Sequence, residues 1–381
     1  MENNKFIRST SPSISNKEIN LVNEAIRFGW KDKMNYYIDK FVEEFKDFTG
    51  LKYCLPTANC TNAIHLALLT LNIKKGDEVI VPDLTWVASA SPILHVGATP
   101  VFCDVDKYNF CINVENIKKC ISKKTKAIVG VDLLGNVPQW NEIINLCKKK
   151  KIHIIEDAAE SLGARYNNLP AGSFGKISLF SFNATKLIMA GQGGALCTNN
   201  EELYNKAKLL SHHGIDKELT GKYYWSNVLG FNYKWTNIQA ALALAQLRRI
   251  NELIDYKKWL YESYQRNLMG IEDLYLNKFE KNVKPSYWIT SAILKPKLKY
   301  KKELVCNFFH KNNIDLRPLF YSISKMPPFK KHLKKHKLLK ANFNKNAHYL
   351  SNYGIILPYG YDLKNKDVVR ICNTLKKFID K

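Results

Sequence analysis

The chain has 381 residues, 46% of them hydrophobic, and carries 58 Lys plus Arg against 34 Asp plus Glu, a net charge of +24. That length can bury a large core and sets a prior of two domains. No apolar run is long enough to cross a bilayer, and the polar start MENNKFIRSTSPSIS lacks the core of a secretion signal, so a cytoplasmic location and no membrane partner are expected.

The excess charge is nearly all lysine, in runs at Lys148–Lys151, Lys295–Lys302 and Lys330–Lys337, with no nucleic-acid-binding motif among them. This argues against a nucleic-acid partner and leaves only a general attraction for anionic small molecules. Nine cysteines form no Cys-x-x-Cys pair and none lies near a His at metal-site spacing, so reduced thiols and no metal centre are expected.

In chain order, Ser15–Phe28 carries Ile19, Val22 and Ile26 at helical spacing and ends at Gly29. A connector, Trp30–Tyr37, leads to a second helix around Ile38–Phe48, closed by Gly50, and then to a short strand, Tyr53–Thr57. The run from Ala58 to Asn62 opens an apolar helix, Ala63–Leu71, which Asn59 or Thr61 can cap and whose first amides form a natural anion cradle. Strands follow at Glu78–Pro82, Thr99–Asp104, Lys126–Val131 and Ile152–Glu156, with helices at Val87–Val96 and Trp140–Lys150 between them. Strand and helix alternating at this spacing predict a doubly wound α/β sheet with right-handed crossovers, whose ligands collect at the carboxyl ends of the strands.

A further buried strand, Ile177–Phe182, stops at Asn183-Ala184-Thr185 and is followed by Lys186 and the turn Gly191-Gln192-Gly193-Gly194. An amine placed there can be partly desolvated and can form an imine with a carbonyl compound. Thr85-Trp86, Asp157 and Ser181 are predicted at the same sheet edge. Asp157 suits a protonated pyridine nitrogen and Trp86 can stack on a planar ring. Ser181 with the amides near Cys60-Thr61 can take a phosphate monoester. Taken singly, Asp157 reads equally as a helix cap and Trp86 as core; together the residues describe a site for pyridoxal 5'-phosphate.

Beyond this, Thr236–Leu268 reads as one long apolar-faced helix capped by Thr236, followed by shorter elements: a strand at Trp288–Leu294, helices at Lys301–Asn312 and Asn365–Ile379, and an extended loop at Leu319-Phe320. The expected division is a large domain over residues 1–255 and a smaller α+β domain over 256–381. Arg317, held extended by Pro318, is a candidate for a phosphate or carboxylate contact and equally a plain surface arginine. The pair His212-His213 reads as structural.

EDAAES (Glu156–Ser161), GSFGKISLFSFNATK (Gly172–Lys186), GQGGALCTNN (Gly191–Asn200), GDEVIVPDLTWVASA (Gly76–Ala90) and GFNYKWTNIQAALALAQL (Gly230–Leu247) together resemble the DegT/DnrJ/EryC1/StrS sugar aminotransferases, over nearly the whole chain. The resemblance implies a fold-type I aminotransferase with a mixed, mostly parallel seven-stranded sheet. It makes Lys186 the catalytic lysine that holds the cofactor and moves the proton, with Asp157 at the pyridine nitrogen and Trp86 stacked on the ring. Cys60, Thr61 and Ser181 would hold the phosphate, Glu160 would lie beside the ring hydroxyl, and Asn232 would reach the phosphate from the partner of a homodimer with shared active sites. The ketosugar dehydratases of the same fold carry histidine in place of the lysine, so Lys186 points to amino transfer. A non-catalytic regulator that keeps the fold is the alternative class.

Three departures from the family stand out. Cys60 replaces a glycine before Thr61, Gln192 replaces a glutamate in the glycine turn, and Lys31–Asn35, with Met34, replaces a Ser-x-Gly turn where members meet the sugar. A narrower likeness within the family, in RPLFYSISKMPPF (Arg317–Phe329) and LPYGYDL (Leu357–Leu363), implies L-glutamate as donor and a GDP-linked 4-keto-6-deoxyhexose as acceptor, for surface glycan such as O-antigen or capsule. UDP- or dTDP-linked 3- or 4-keto sugars are the alternative acceptors, and Met34 and Arg317 the candidate substrate contacts.

Overall fold

In the computed structural model, which describes residues 5–216, 224–295, 301–335 and 344–380, the first helix runs Asn16–Phe28 (α1). Parts of the lysine runs Lys295–Lys302 and Lys330–Lys337 lie outside the described residues. Ser15 starts α1 through a reciprocal capping box: its hydroxyl accepts from the Lys17 N–H, and Glu18 accepts from the Ser15 N–H at 2.7 Å. The second helix, Tyr36–Thr49 (α2), stops at Gly50, whose φ of 72° ends it in the left-handed conformation. The third, Cys60–Thr70 (α3), is capped by Asn59, whose side chain accepts from the Asn62 N–H at 2.9 Å.

Seven strands make the large sheet: Tyr53–Thr57 (β1), Glu78–Pro82 (β2), Thr99–Cys103 (β3), Thr125–Val131 (β4), His153–Asp157 (β5), Ile177–Ser181 (β8) and Gly194–Thr198 (β9), in the order β1-β9-β8-β5-β4-β2-β3. The run β8-β5-β4-β2-β3 is parallel; β9 alone is reversed, antiparallel to both β8 and β1. Nearly every residue of β2, β4, β5 and β8 is buried, the pattern of a sheet covered on both faces, which is why these segments read as apolar runs without alternation. The two-residue strands Arg165–Tyr166 (β6) and Leu169–Pro170 (β7) form a small antiparallel sheet with Val283–Lys284 (β11).

A ring cluster joins α2 to the sheet: Phe41 and Phe45 meet Phe182 edge-on, at centroid distances of 5.2 and 5.6 Å, and Phe182 stacks on Trp235 at 5.5 Å. An antiparallel four-stranded sheet of order β10-β12-β14-β13 uses Leu274–Leu276 (β10), Ser291–Leu294 (β12), Arg317–Pro318 (β13) and Gly354–Ile356 (β14). The helix Ile250–Leu268 ties to this part of the chain through Tyr261 and Tyr264, whose hydroxyls donate to the carbonyls of Asn277 and Pro358. The residue 255/256 boundary falls inside this helix.

Three predicted elements differ. The long helix Thr236–Leu268 is two, Asn237–Leu247 and Ile250–Leu268, because Arg249 leaves the helical conformation (φ −119°, ψ 20°) to reach Glu18, Glu252 and Ser13 with its guanidinium. Val87–Val96 divides into a single 3-10 turn, Val87–Ser89, and a helix, Ser91–His95. The strand predicted from Trp288 begins only at Ser291, since Tyr287 turns the chain with φ 53°.

Candidate active site

The carboxyl ends of β5 and β8, the N-terminus of α3 and the turn after β2 bring most of the predicted residues together. Asp157 ends β5, in register with Val131 and Leu179, and is only 3% exposed. Its Oδ2 accepts from Ser89 Oγ at 2.8 Å and its Oδ1 from the Ala159 N–H at 3.2 Å. Burial pushes its pKa above the ordinary aspartate value, while Ser89, the Ala159 amide and Lys186 pull the other way. Ser89 lies one turn beyond Trp86, so the 3-10 turn that splits the predicted helix links the aromatic to the carboxylate. Trp86 is 59% exposed, and Phe320 approaches its ring at 6.1 Å.

Lys186 follows β8 after a tight turn in which its N–H donates to the Asn183 carbonyl. Its Nζ lies 3.3 Å from Glu160 Oε1, with side-chain exposures of 13% and 3% for the pair. The other Glu160 oxygen accepts from the Leu134 N–H at 2.9 Å. Burial raises the Glu160 pKa, opposed first by Lys186 and then by the Leu134 amide. Two neighbouring carboxylates and one amine therefore share a largely buried edge.

Ser181 sits opposite Gly194 in the β8–β9 register. Gly194 in turn lies so close to the start of α3 that a Cβ on it would stand 2.5 Å from the Cys60 nitrogen. The opening amides of a helix have no intrahelical acceptor, and Cys60 and Thr61 are the first two residues of α3, at the end that Gly194 approaches. Burial pushes the Cys60 thiol up, with Asp157 and Glu160 adding to the shift and Lys186 opposing it. Gln192, the departure in the glycine turn, accepts through its backbone carbonyl from Trp235 Nε1 and Gln239 Nε2, at 3.2 and 3.0 Å.

The remaining candidates are held by contacts outside this cluster. Asn232 is exposed and forms a backbone bridge with His212, next to Tyr233, whose carbonyl accepts from the Ala58 N–H. Met34 is 59% exposed in the α1–α2 connector. Arg317 is tied within the chain: its Nη2 lies 3.0 Å from Asp315 Oδ2, and its Nε donates to Ser9 Oγ at 3.2 Å.

Several residues of the site's frame escaped the sequence reading. Ser89 was concealed in an apparently apolar helix, although its spacing from Trp86 was visible. Glu156 is fully buried under donors from Phe174, Gly175 and Ser178 at 2.7, 2.9 and 3.2 Å, and from Gly172, and it neighbours buried Asp132. Burial and the Glu156 charge raise Asp132 well above the ordinary range. Asp83, at the end of β2, accepts from the Ser324 N–H, Ser324 Oγ and Asn344 Nδ2 at 2.7–2.9 Å, tying the C-terminal part of the chain to the Trp86 turn. Asn237 holds the α1–α2 connector, accepting from the Tyr37 N–H and donating to the Gly29 and Lys33 carbonyls. No single-residue signal marks any of these, because their partners are distant in the chain.

Among the described residues, no group of three or more His, Cys, Asp and Glu is placed to hold a metal ion, and no helix is long and apolar enough to cross a membrane.

The model of the DegT/DnrJ/EryC1/StrS aminotransferase family matches residues 12–376. The chain is 34% identical over 369 residues to GDP-perosamine synthase of Vibrio cholerae, covering 97% of this chain and 98% of the relative. It is 35% identical over 374 residues to GDP-perosamine synthase of Escherichia coli O157:H7, covering 98% and 99%. Among solved structures it is similar to the Streptococcus pneumoniae protein Spr1654 in its PLP form, with a TM-score of 0.90, 25% identity and 99% of each chain covered. The seven-stranded mixed sheet is that of a fold-type I aminotransferase.

Pyridoxal phosphate is the cofactor of this family, and the residues present fit it. The amine, two buried carboxylates, an exposed indole and an anion cradle closed by a glycine that a Cβ would obstruct are the groups its aldehyde, ring nitrogen, ring hydroxyl, ring face and phosphate require.

Proposed function

The chain belongs to the DegT/DnrJ/EryC1/StrS aminotransferase family, and from that premise we propose that it moves the amino group of L-glutamate to a GDP-linked 4-keto-6-deoxyhexose, as a homodimer with shared active sites. As a member it is a pyridoxal phosphate-dependent sugar aminotransferase. When bound, the cofactor supplies an aldehyde that carries the amino group and a ring that accepts the electron pair left when a C–H proton departs.

In the proposal, each of the chain's residues has a separate task. Lys186 Nζ would take the proton from the amino-bearing carbon of glutamate and deliver it to the cofactor's aldehyde carbon, then run the reverse transfer for the sugar. Asp157 would hold a proton on the ring nitrogen, which would raise the ring's capacity as an electron sink. Glu160, 3.3 Å from Lys186 Nζ, would orient that amine and meet the ring hydroxyl, and Trp86 would supply a face for the ring. Ser181 and the amides of Cys60 and Thr61 bind the phosphate, with Asn232 of a second copy completing the cradle. Met34 and the connector around it meet the sugar, and Arg317 is the less favoured contact because Asp315 already engages it. A cytoplasmic setting and a product destined for surface glycan complete the reading.

The observation that carries the chemistry is the approach of Lys186 Nζ to buried Glu160, on the sheet edge where buried Asp157 also ends its strand. The preference for GDP rests on 34–35% identity to GDP-perosamine synthases along nearly the full length of both chains. The test is a panel of GDP-, UDP- and dTDP-linked 3- and 4-keto sugars assayed with glutamate, following 2-oxoglutarate release. Turnover highest with a GDP-linked 4-keto sugar is expected. Preference for another nucleotide or ring position refutes the substrate assignment, and turnover by Lys186→Ala refutes the mechanism.

A further inference from the structure

Trp288 approaches Lys186 from the C-terminal part of the chain and belongs to none of the roles above. The Lys186 Nζ lies 3.9 Å from the centroid of its indole ring, and the Trp288 Nε1–H donates to the Thr185 carbonyl at 2.9 Å, on the peptide that joins Thr185 to Lys186. Trp288 is 4% exposed. A cation over an indole face is attracted by the ring quadrupole, and more strongly where water is excluded.

The backbone that presents this ring is closely constrained. Tyr287, just before it, has φ 53°, the left-handed region that a bulky side chain rarely adopts unless its surroundings impose it. The Ser286 N–H donates to the Gly135 carbonyl at 3.0 Å, and a Cβ on Gly135 would stand 2.7 Å from the Trp288 nitrogen. Gly135 neighbours Leu134, whose N–H holds Glu160, so one turn positions both groups that meet the Lys186 amine. Behind the indole, the Tyr359 ring makes an edge contact at 6.1 Å.

We propose that Trp288 is a positioning residue for Lys186, its ring face bearing on the Nζ end of the side chain and its Nε1–H fixing the Thr185–Lys186 peptide. A lysine has a long, freely rotating stem and loses much rotamer freedom when ordered. Glu160 offers it one contact at 3.3 Å; the indole supplies a second restraint of a different kind, and the bond to Thr185 fixes the stem's origin. The aim of the amine thereby depends on how the 286–288 segment docks on the large sheet's edge.

This inference rests on Lys186 being the residue that takes the cofactor. Borohydride reduction of wild-type holoenzyme and mapping of the labelled peptide test that premise separately. Trp288 itself is tested with Trp288→Leu and Trp288→Phe in the full chain, measuring the rate at which stripped protein captures pyridoxal phosphate, the visible circular dichroism of the loaded enzyme, and kcat and KM on the best keto-sugar substrate. Losing the ring should slow capture and lower kcat about tenfold, with KM within about twofold and an altered visible dichroism. Phenylalanine, which keeps the face and loses the N–H, should recover part of both rates and leave each about threefold below wild type. A leucine variant with native far-ultraviolet dichroism but wild-type capture, visible dichroism and kcat overturns the proposal. Should leucine not fold, a phenylalanine variant indistinguishable from wild type in all three readouts overturns it as well.

Discussion

Asp157→Asn separates a site role from a packing role, because the two predict opposite signs for stability and activity. Asp157 is 3% exposed and receives two donors, Ser89 Oγ at 2.8 Å and the Ala159 N–H at 3.2 Å. An asparagine of nearly the same shape keeps its oxygen on the Ala159 amide and turns its NH2 toward Ser89, whose hydroxyl can accept and redirect its own proton toward Thr85 Oγ1 at 3.4 Å. No buried polar atom is orphaned by that exchange, and a desolvated carboxylate is removed. The cofactor-free variant should therefore keep its stability within about 1 kcal/mol of wild type, or gain slightly. With cofactor bound, the substitution removes one partner of a buried charge pair, which costs about 2–5 kcal/mol. At about 1.4 kcal/mol per decade, turnover should fall roughly 30- to 4,000-fold. Urea unfolding of the stripped protein and the glutamate-dependent keto-sugar assay give the two numbers. A variant that loses several kcal/mol of stability but retains turnover within threefold would make Asp157 a packing anchor for the turn after β5 and refute the reasoning.

Three further outcomes follow from the same geometry. Gly194→Ala places a methyl 2.5 Å from the Cys60 nitrogen, so α3 must shift, and cofactor affinity measured by absorbance titration should weaken at least tenfold while far-ultraviolet dichroism stays native. Asn237→Ala frees the connector that carries Met34 and strands the buried Tyr37 N–H. It should cost about 1–3 kcal/mol in urea unfolding and raise KM for the nucleotide sugar more than KM for glutamate. Lys257, buried under Tyr359 and Tyr361 and bonded to the Tyr359 carbonyl, has its pKa pulled down to about 7 by burial, from 10.5. The unfolded chain then holds more protons than the folded one from about pH 7 upward, so this group's contribution raises stability as pH rises toward 9. Lys257→Met should remove that slope; parallel wild-type and variant profiles between pH 7 and 9 would contradict it.

The strands and most helices were legible in the sequence because each obeys a local rule. Apolar runs without alternation mark β2, β4, β5 and β8, Thr236 marks a helix start, and of the two caps offered for α3, Asn59 or Thr61, Asn59 is the one used. The doubly wound order then places strand ends at one edge, so Lys186, Asp157, Trp86 and Ser181 could be assigned to a common site from spacing alone. The family likeness added roles to them. Where the sequence reading failed, a long-range contact outweighed local preference: Arg249 leaves the helix to meet Glu18, and Tyr287 adopts φ 53° where a strand was expected.

Tertiary structure alone decided which groups surround the amine. Glu160 and Lys186 are 26 residues apart and Trp288 is 102 residues beyond Lys186, yet all three meet around one nitrogen. Ser89 reaches Asp157 across 68 residues, and Asp83 gathers Ser324 and Asn344 from more than 240 residues away. Periodicity and caps act over a few residues, so a sequence states them directly. Partners of buried charges are chosen by packing between distant segments, and only the folded chain brings those segments into contact.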